Sequence, residues 1–174
     1  QSDVRIERVG GNLTDHYDPS KEVLNLSDGV YSSNSIAAMG IAAHEAGHAM
    51  QKLENYAPLN LRSAIVPAVN ICSSLSTPMF ILGLIFAWQP LVYIGIGLFA
   101  ASTVFALVTL PVEFDASKRA IQMLSEGGYI SGAEEERNVR KVLSAAALTY
   151  VAAAVTSLLS LLRLILIAKR NDRN

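Results

Sequence analysis

Charged residues are missing from long stretches of this 174-residue chain. Residues 63–112, a run of 50 positions, contain no Asp, Glu, Lys, Arg or His, and a second charge-free run covers residues 142–162. Only 17% of all residues are charged, whereas about a quarter are charged in an average soluble domain. Buried helices of soluble proteins rarely sustain such lengths without a charge, so the composition argues against a soluble domain and predicts a membrane protein.

Cysteine is almost absent, and neither sign of charge dominates. Cys72 is the single cysteine, which excludes an internal disulfide. The formal net charge of −1 gives no reason to expect a nucleic acid as a partner. The partner expected from the composition is therefore the lipid membrane, and the composition indicates no oligomeric state.

The charge-free runs place the membrane-spanning helices. A helix crosses the hydrocarbon core in about 20 residues, so the run over 63–112 holds two crossings and a turn. The turn is predicted at residues 87–90, which read Ala-Trp-Gln-Pro. The predicted helices cover residues 64–86 and 91–110, and a third span covers residues 142–168. Small residues in the third span suit close helix packing.

The chain is predicted to form one membrane domain over residues 1–174. Residues 1–62 hold a sheet and a helix, 63–112 a transmembrane hairpin, 113–141 a connecting segment, and 142–168 the last span. Because a hairpin returns the chain to the side it left, both polar blocks should share one side. Seven basic residues lie near membrane ends on that side and four on the other, which favours a multi-pass protein of the cell membrane with its polar blocks in the cytoplasm. The seven are Lys52, Arg62, Lys118, Arg119, Arg137, Arg140 and Lys141.

Short strands precede the first long helix. Alternating apolar residues bounded by turn signals predict strands within residues 4–9, 12–17 and 22–27. Several serines before Ile36 offer N-caps, and the run Ile36–Leu53 is predicted to be a helix. The predicted fold is mainly α, with a small N-terminal β-hairpin or sheet, this helix and about three transmembrane helices.

Two of the three histidines lie four residues apart on that helix. The string His44-Glu45-Ala46-Gly47-His48 places both imidazoles on one helix face, where they can bind one ion, and Glu45 on the adjacent side as general base. Its chance expectation in a chain of this composition is about 0.003. Unpaired buried histidines would be costly, so the pattern predicts a zinc ion. Gly47 should let another element approach the helix closely.

A catalytic zinc ion takes three protein ligands and leaves one position open. Three residues are candidates for the third ligand, and Glu113 is predicted rather than Asp115 or His16. The transmembrane hairpin returns Glu113 to the side of the histidine helix. Asp115 lies about 200° further around a helix, so both carboxylates cannot face the metal. His16 lies on a short segment without the support of a rigid element.

Three strings together resemble the YugP-like family of bacterial membrane zinc peptidases, and more distantly the gluzincin-type membrane peptidases of the HtpX kind. They are Leu13-Thr14-Asp15-His16-Tyr17-Asp18-Pro19, Ala42-Ala43-His44-Glu45-Ala46-Gly47-His48-Ala49 and Leu110-Pro111-Val112-Glu113-Phe114-Asp115-Ala116. The resemblance implies zinc-dependent peptide hydrolysis, with Glu113 matching the third ligand. Four residues later the HtpX kind carries an Asp that braces the site. This chain has Ser117 there, and Asp115 is the candidate substitute.

Three functions compete on the sequence. The preferred one is a zinc endopeptidase at the membrane, with Glu45 as catalytic base and a part in quality control of membrane proteins. A protease cutting inside the bilayer is disfavoured because no Asp or Glu interrupts the apolar runs. A catalytically silent zinc-binding scaffold is disfavoured because it would not need Glu45.

His16 is predicted to line the active site as a catalytic residue without holding the metal. The alternative is a histidine satisfied by the neighbouring carboxylates Asp15 or Asp18. The group that stabilises the oxyanion is also left open among His16 and three tyrosines, namely Tyr17, Tyr31 and Tyr129.

Overall fold

The computed structural model describes residues 4–171 of the chain. Three strands are followed by five helices. In chain order they are β1 (Arg5–Val9), β2 (His16–Asp18), β3 (Val23–Ser27), α1 (Asp28–Tyr31), α2 (Ile36–Leu53), α3 (Ala57–Ile85), α4 (Gln89–Glu126) and α5 (Ala133–Asn171). The mainly helical fold with a small N-terminal sheet is confirmed.

The three strands form one sheet in the order β1-β3-β2. β1 pairs with β3 in parallel, with Arg5 opposite Val23. β2 pairs with β3 antiparallel, with Tyr17 opposite Leu24. All five residues of β3 are buried, as expected for a central strand of a small sheet. The short β2 is therefore one edge of the sheet.

The described chain divides into two compact units. The first comprises the described residues up to Asn60 together with Pro111–Thr149. Its apolar core joins α2 to the parts of α4 and α5 in this unit, and it includes Ala43, Ala120, Leu124, Ile130, Val139 and Leu143. Helix α2 begins where the serines predict, because Ser35 Oγ accepts a hydrogen bond from Ala38 N at 3.2 Å.

The second unit comprises Leu61–Leu110 and the described residues from Tyr150 onward. Its core centres on Phe80, Val92 and Ala168. Polar groups pair between its helices. Thr103 Oγ1 lies 2.8 Å from Ser157 Oγ, and Gln89 Nε2 donates to the Ala168 carbonyl at 3.1 Å. Such pairing satisfies polar groups in segments where no water is available.

Three helices, α3, α4 and α5, are long and apolar enough to cross a membrane. Only 22%, 17% and 11% of their most apolar windows are buried within the chain. Most of this apolar surface therefore faces outward, where lipid would cover it. The prediction of about three membrane spans is confirmed.

The helices extend beyond the predicted boundaries. The first span begins at Ala57 rather than residue 64, and the third begins at Ala133 and passes Arg163 to Asn171. The expectation that Pro111 ends the second span or begins a new helix is wrong, because α4 runs continuously through Pro111 to Glu126. The charge-free runs indicate where the helix surface is apolar. They do not indicate where a helix ends, because the end of a helix depends on its backbone hydrogen bonds.

Candidate metal centre

Two histidines and a glutamate from different helices come together in the first unit. Glu113 Oε2 lies 3.1 Å from His44 Nε2 and 3.5 Å from His48 Nε2. One ligand atom from each of the three residues lies within 4.8 Å of the others. Glu113 is 2% exposed and His48 is 9% exposed, so the cluster is shielded from solvent. The two motif histidines and the carboxylate predicted as their partner thus form one compact group.

The chemistry of these donors fits zinc. Two imidazoles and one carboxylate form a ligand set found at catalytic zinc sites, with the fourth position left open. Tetrahedral ligands about 2.1 Å from an ion lie roughly 3.4 Å from each other. The observed separations of 3.1 and 3.5 Å from Glu113 Oε2 to the two Nε2 atoms are close to that value.

Close approach of α2 to α4 explains why Glu113 reaches the histidines. A β-carbon added to Gly47 would lie 2.5 Å from the Ala116 carbonyl oxygen, too close for any other residue without a backbone shift. Glycine at this position of the motif therefore lets the backbone of α4 lie directly against α2. This geometry confirms the expectation that Gly47 permits close contact with another element.

Each histidine has a hydrogen-bond partner on the side away from Glu113. His44 Nδ1 lies 3.1 Å from Ser117 Oγ, and His48 Nδ1 lies 3.0 Å from Gln51 Oε1. Such contacts orient metal-binding imidazoles. Ser117 therefore contacts His44 from the position where the HtpX kind has an aspartate.

Asp115 contacts His48 only through the side chain of Gln51. Its Oδ2 accepts hydrogen bonds from Gln51 Nε2 at 2.9 Å and from Arg119 Nε at 2.6 Å. The expectation that Asp115 faces a different side of the helix from Glu113 fits this geometry. Sequence reasoning missed Gln51, although its position three residues after His48 places it on the same helix face.

Glu45 lies beside the three candidate ligands but is not one of them. Its Oε2 accepts a hydrogen bond from Tyr17 N at 3.0 Å, so the edge strand β2 orients this carboxylate. Burial raises the pKa of Glu45 above its usual value. A carboxylate with a raised pKa is better suited to accept a proton near neutral pH.

Comparison with known proteins agrees with zinc as the metal. Residues 1–169 match the family described as "Putative neutral zinc metallopeptidase". The chain belongs to this zinc metallopeptidase family. It is also 50% identical over 165 residues to the "Putative membrane protease YugP" of Bacillus subtilis (strain 168), which covers 95% of this chain and 73% of that protein. No solved structure matches the chain.

Family membership makes zinc the cofactor, and His44, His48 and Glu113 are residues that could hold it. The family and its relative are both described as peptidase or protease, which implies a polypeptide substrate and membrane association. The three apolar helices agree with a multi-pass membrane protein.

His16 is exposed on β2, next to Tyr17, and it is not part of the candidate ligand group. Its Nδ1 lies 2.8 Å from the Thr14 carbonyl oxygen, to which it can donate. The proposed alternative partners have other contacts. Asp15 accepts hydrogen bonds from Ser27 N and Oγ, and Asp18 accepts from Ser20. The catalytic role of His16 stays a prediction, supported by its position next to Tyr17 on β2.

An apolar pocket of about 630 Å³ lies on the opposite face of α2. Its lining includes Ala42, Ala46 and Leu53, which lie roughly 160–200° around the helix from His44. The side chain of Tyr129, one of the tyrosines considered for oxyanion stabilisation, also lines this pocket. The candidate metal centre and the pocket therefore lie on different faces of α2.

Proposed function

We propose that this chain is a zinc-dependent endopeptidase of the cell membrane, with His44, His48 and Glu113 as metal ligands and Glu45 as catalytic base. The observation that carries the proposal is the convergence of the three ligand atoms within 4.8 Å, beside a carboxylate oriented by its own hydrogen bond. Metal ligation alone does not require Glu45, whereas hydrolysis requires a base next to the metal.

The bound zinc would supply a Lewis acid that polarises the scissile carbonyl and makes the attacking water more acidic. Glu45 takes the proton from that water as it attacks and delivers it to the leaving amine. Burial raises the pKa of Glu45, which makes this carboxylate a stronger base for that proton. Tyr17 N holds one oxygen of the carboxylate, so the other is available for proton transfer.

The edge strand β2 is the proposed contact for the substrate backbone. Its one strand partner in the sheet order is β3, so its other edge faces away from the sheet. Tyr17 on this strand already contacts Glu45. An extended polypeptide lying along that edge would run past the proposed base, paired with main-chain groups of β2 other than Tyr17 N, which already donates to Glu45. His16, adjacent to Tyr17, would then lie along the bound chain.

The proposed location of the active site is the cytoplasmic side of the membrane, and the proposed role is quality control of membrane proteins. The seven basic residues that flank the predicted spans support a cytoplasmic active site through the positive-inside tendency. Quality control of membrane proteins is proposed by analogy with the family alone. A protease in the membrane with an edge strand as substrate site would suit unfolded or partly extracted polypeptides.

Hydrolysis of an unfolded polypeptide by the purified full chain in detergent tests the function. The protein should cleave the substrate, lose activity in a strong chelator, and recover it when zinc is restored. A protein that binds zinc but cleaves no unfolded substrate, in detergent or in lipid, would contradict the enzyme and favour the zinc-binding scaffold. Cleavage that persists after complete zinc removal would contradict the metal mechanism.

A further inference from the structure

Gln51 is completely buried, and its amide group makes three hydrogen bonds. Its Oε1 lies 3.0 Å from His48 Nδ1. Its Nε2 donates to the Val112 carbonyl at 2.8 Å and to Asp115 Oδ2 at 2.9 Å. A buried amide with both hydrogens and its oxygen engaged has a fixed orientation.

The partners of the Gln51 amide determine which way it faces. The Val112 carbonyl can only accept a hydrogen bond, so it must face the amide NH₂, and Asp115 Oδ2 lies against the same NH₂ group. Turning the amide over would place its oxygen against two other oxygens in a buried site. The Gln51 oxygen therefore faces His48.

The amide oxygen in turn determines the tautomer of His48. An acceptor facing Nδ1 requires that nitrogen to carry the hydrogen. A neutral imidazole has one N–H, so Nε2 keeps its lone pair. This Nε2 is the atom that lies 3.5 Å from Glu113 Oε2, in the candidate metal centre.

We infer that Gln51 is a positioning residue for the metal. It holds His48 in the tautomer and ring orientation that metal binding needs, and it ties α2 to α4 through the Val112 carbonyl. The inference rests on the proposed function, because it assumes that His48 is a zinc ligand. His44 lacks an equivalent constraint, since its partner Ser117 carries a hydroxyl that can either donate or accept.

Two ion pairs connect the partner of Gln51, Asp115, to the protein surface. Arg119 Nε donates to Asp115 Oδ2 at 2.6 Å, and Arg119 Nη1 donates to Glu54 Oε2 at 2.6 Å. The Arg119 guanidinium holds the Asp115 carboxylate in place, with Oδ2 accepting from both Arg119 and Gln51. The orientation of a buried metal-binding imidazole thus depends on an ion pair that reaches the surface at the exposed Glu54.

Zinc affinity of the full chain in detergent tests the inference, measured by competition with a chromophoric chelator. Gln51→Met keeps the side-chain length but removes all three hydrogen bonds, and we expect the zinc Kd to rise about 10–100-fold. The visible spectrum of the cobalt-substituted protein should also change, because it reports ligand geometry. Gln122→Met is the matched control. Gln122 is an exposed glutamine on α4 that bonds to Glu126, and its variant should keep both values.

Nitrogen NMR of the histidine side chains in the chelator-treated, zinc-free wild-type protein, at a pH where the imidazoles are neutral, tests the tautomer without any substitution. It also provides the test if Gln51→Met does not fold. We expect His48 to carry its hydrogen on Nδ1. Wild-type zinc affinity in Gln51→Met, or a hydrogen on Nε2 of His48, would overturn the inference and leave the proposed function intact. A wild-type chain that binds no zinc would overturn the proposed function and the inference together.

Discussion

At the scale of single residues, the buried polar groups of the site have different partners and different proposed roles. His44, His48 and Glu113 point ligand atoms at one another, and Glu45 stands next to them with a separate partner in Tyr17. Burying unpaired imidazoles or carboxylates would cost several kcal/mol, so each group needs either a partner or a metal ion. Glu113 is the partner that His44 and His48 share.

Glu113→Ala tests the third ligand. Removing this carboxylate leaves two histidines, which hold zinc far more weakly than three ligands. We expect the variant to lose most of its zinc, measured as metal per chain after purification. Glu126→Ala, which removes an exposed glutamate from the same helix, should keep its zinc. Full zinc occupancy in Glu113→Ala would show that another residue is the ligand.

His16→Ala tests whether His16 has a catalytic role. Because His16 is exposed and contacts the Thr14 carbonyl, the variant should fold and bind zinc normally. If His16 lines the bound substrate, turnover should fall at least tenfold with zinc content unchanged. Turnover equal to that of the wild-type protein would assign His16 a structural role on β2.

The candidate metal ligands could be predicted from the sequence, but the residue that orients His48 could not. His44, Glu45 and His48 follow from spacing on one helix, which is a local property. Glu113 followed from the hairpin and from resemblance. The position of Gln51 three residues after His48 is a local signal, but its hydrogen bond to the Val112 carbonyl, 61 residues further along the chain, cannot be predicted from local spacing.

At the scale of elements, α2 and α4 build the site by lying against each other. The bounds of α2, Ile36–Leu53, match the prediction because capping serines and apolar periodicity are local signals. The course of α4 through Pro111 was not predicted, since a proline inside a helix is tolerated only where its surroundings compensate for the lost hydrogen bond. Glu113 therefore lies within a continuous helix rather than in the first turn of a new one.

Gly47→Ala tests the contact between these helices. A β-carbon at Gly47 would lie 2.5 Å from the Ala116 carbonyl oxygen, so the helices must separate. We expect unfolding free energy to fall by about 1–3 kcal/mol and zinc affinity to fall with it, because Glu113 moves away from the histidines. Denaturation of the detergent-solubilised protein and zinc competition measure the two effects.

Gly40→Ala is the matched control for that substitution. It lies on the same helix, and a β-carbon there would meet Val139 Cγ1 at 3.7 Å, an ordinary contact. Because alanine favours a helix over glycine, stability should stay the same or rise by up to about 1 kcal/mol. Equal losses in Gly40→Ala and Gly47→Ala would contradict the role given to close helix contact.

At the scale of the whole molecule, the positions of the apolar helices and of the polar segments follow the distribution of charged residues in the sequence. The charge-free runs fall within three helices that are mostly unburied within the chain, which agrees with a membrane protein. The charged residues lie outside those runs, with 13 in residues 1–62, 11 in residues 113–141 and five in residues 163–174. Since a helix needs about 20 residues to cross the hydrocarbon core, α4 and α5, with 38 and 39 residues, are long enough to continue beyond it.

Cysteine labelling tests the predicted membrane topology. In a background in which Cys72 is replaced, single cysteines at Lys52 and Glu134 should react with an impermeant reagent from the same side, and one at Arg170 from the other. The two polar blocks share a side because the hairpin crosses the membrane twice. Labelling of the first two positions from opposite sides would contradict the hairpin and the delivery of Glu113 to the histidines.

The central claim is that Glu45 is the base of a zinc peptidase rather than part of a metal-binding scaffold. Glu45→Gln keeps the size of the side chain and removes only its ability to take a proton. Parallel measurement of zinc content and polypeptide cleavage in Glu45→Gln and wild-type protein tests this claim most directly. We predict one zinc ion per chain in both proteins, with cleavage reduced at least a hundredfold in the variant. Wild-type turnover in zinc-loaded Glu45→Gln would contradict the mechanism.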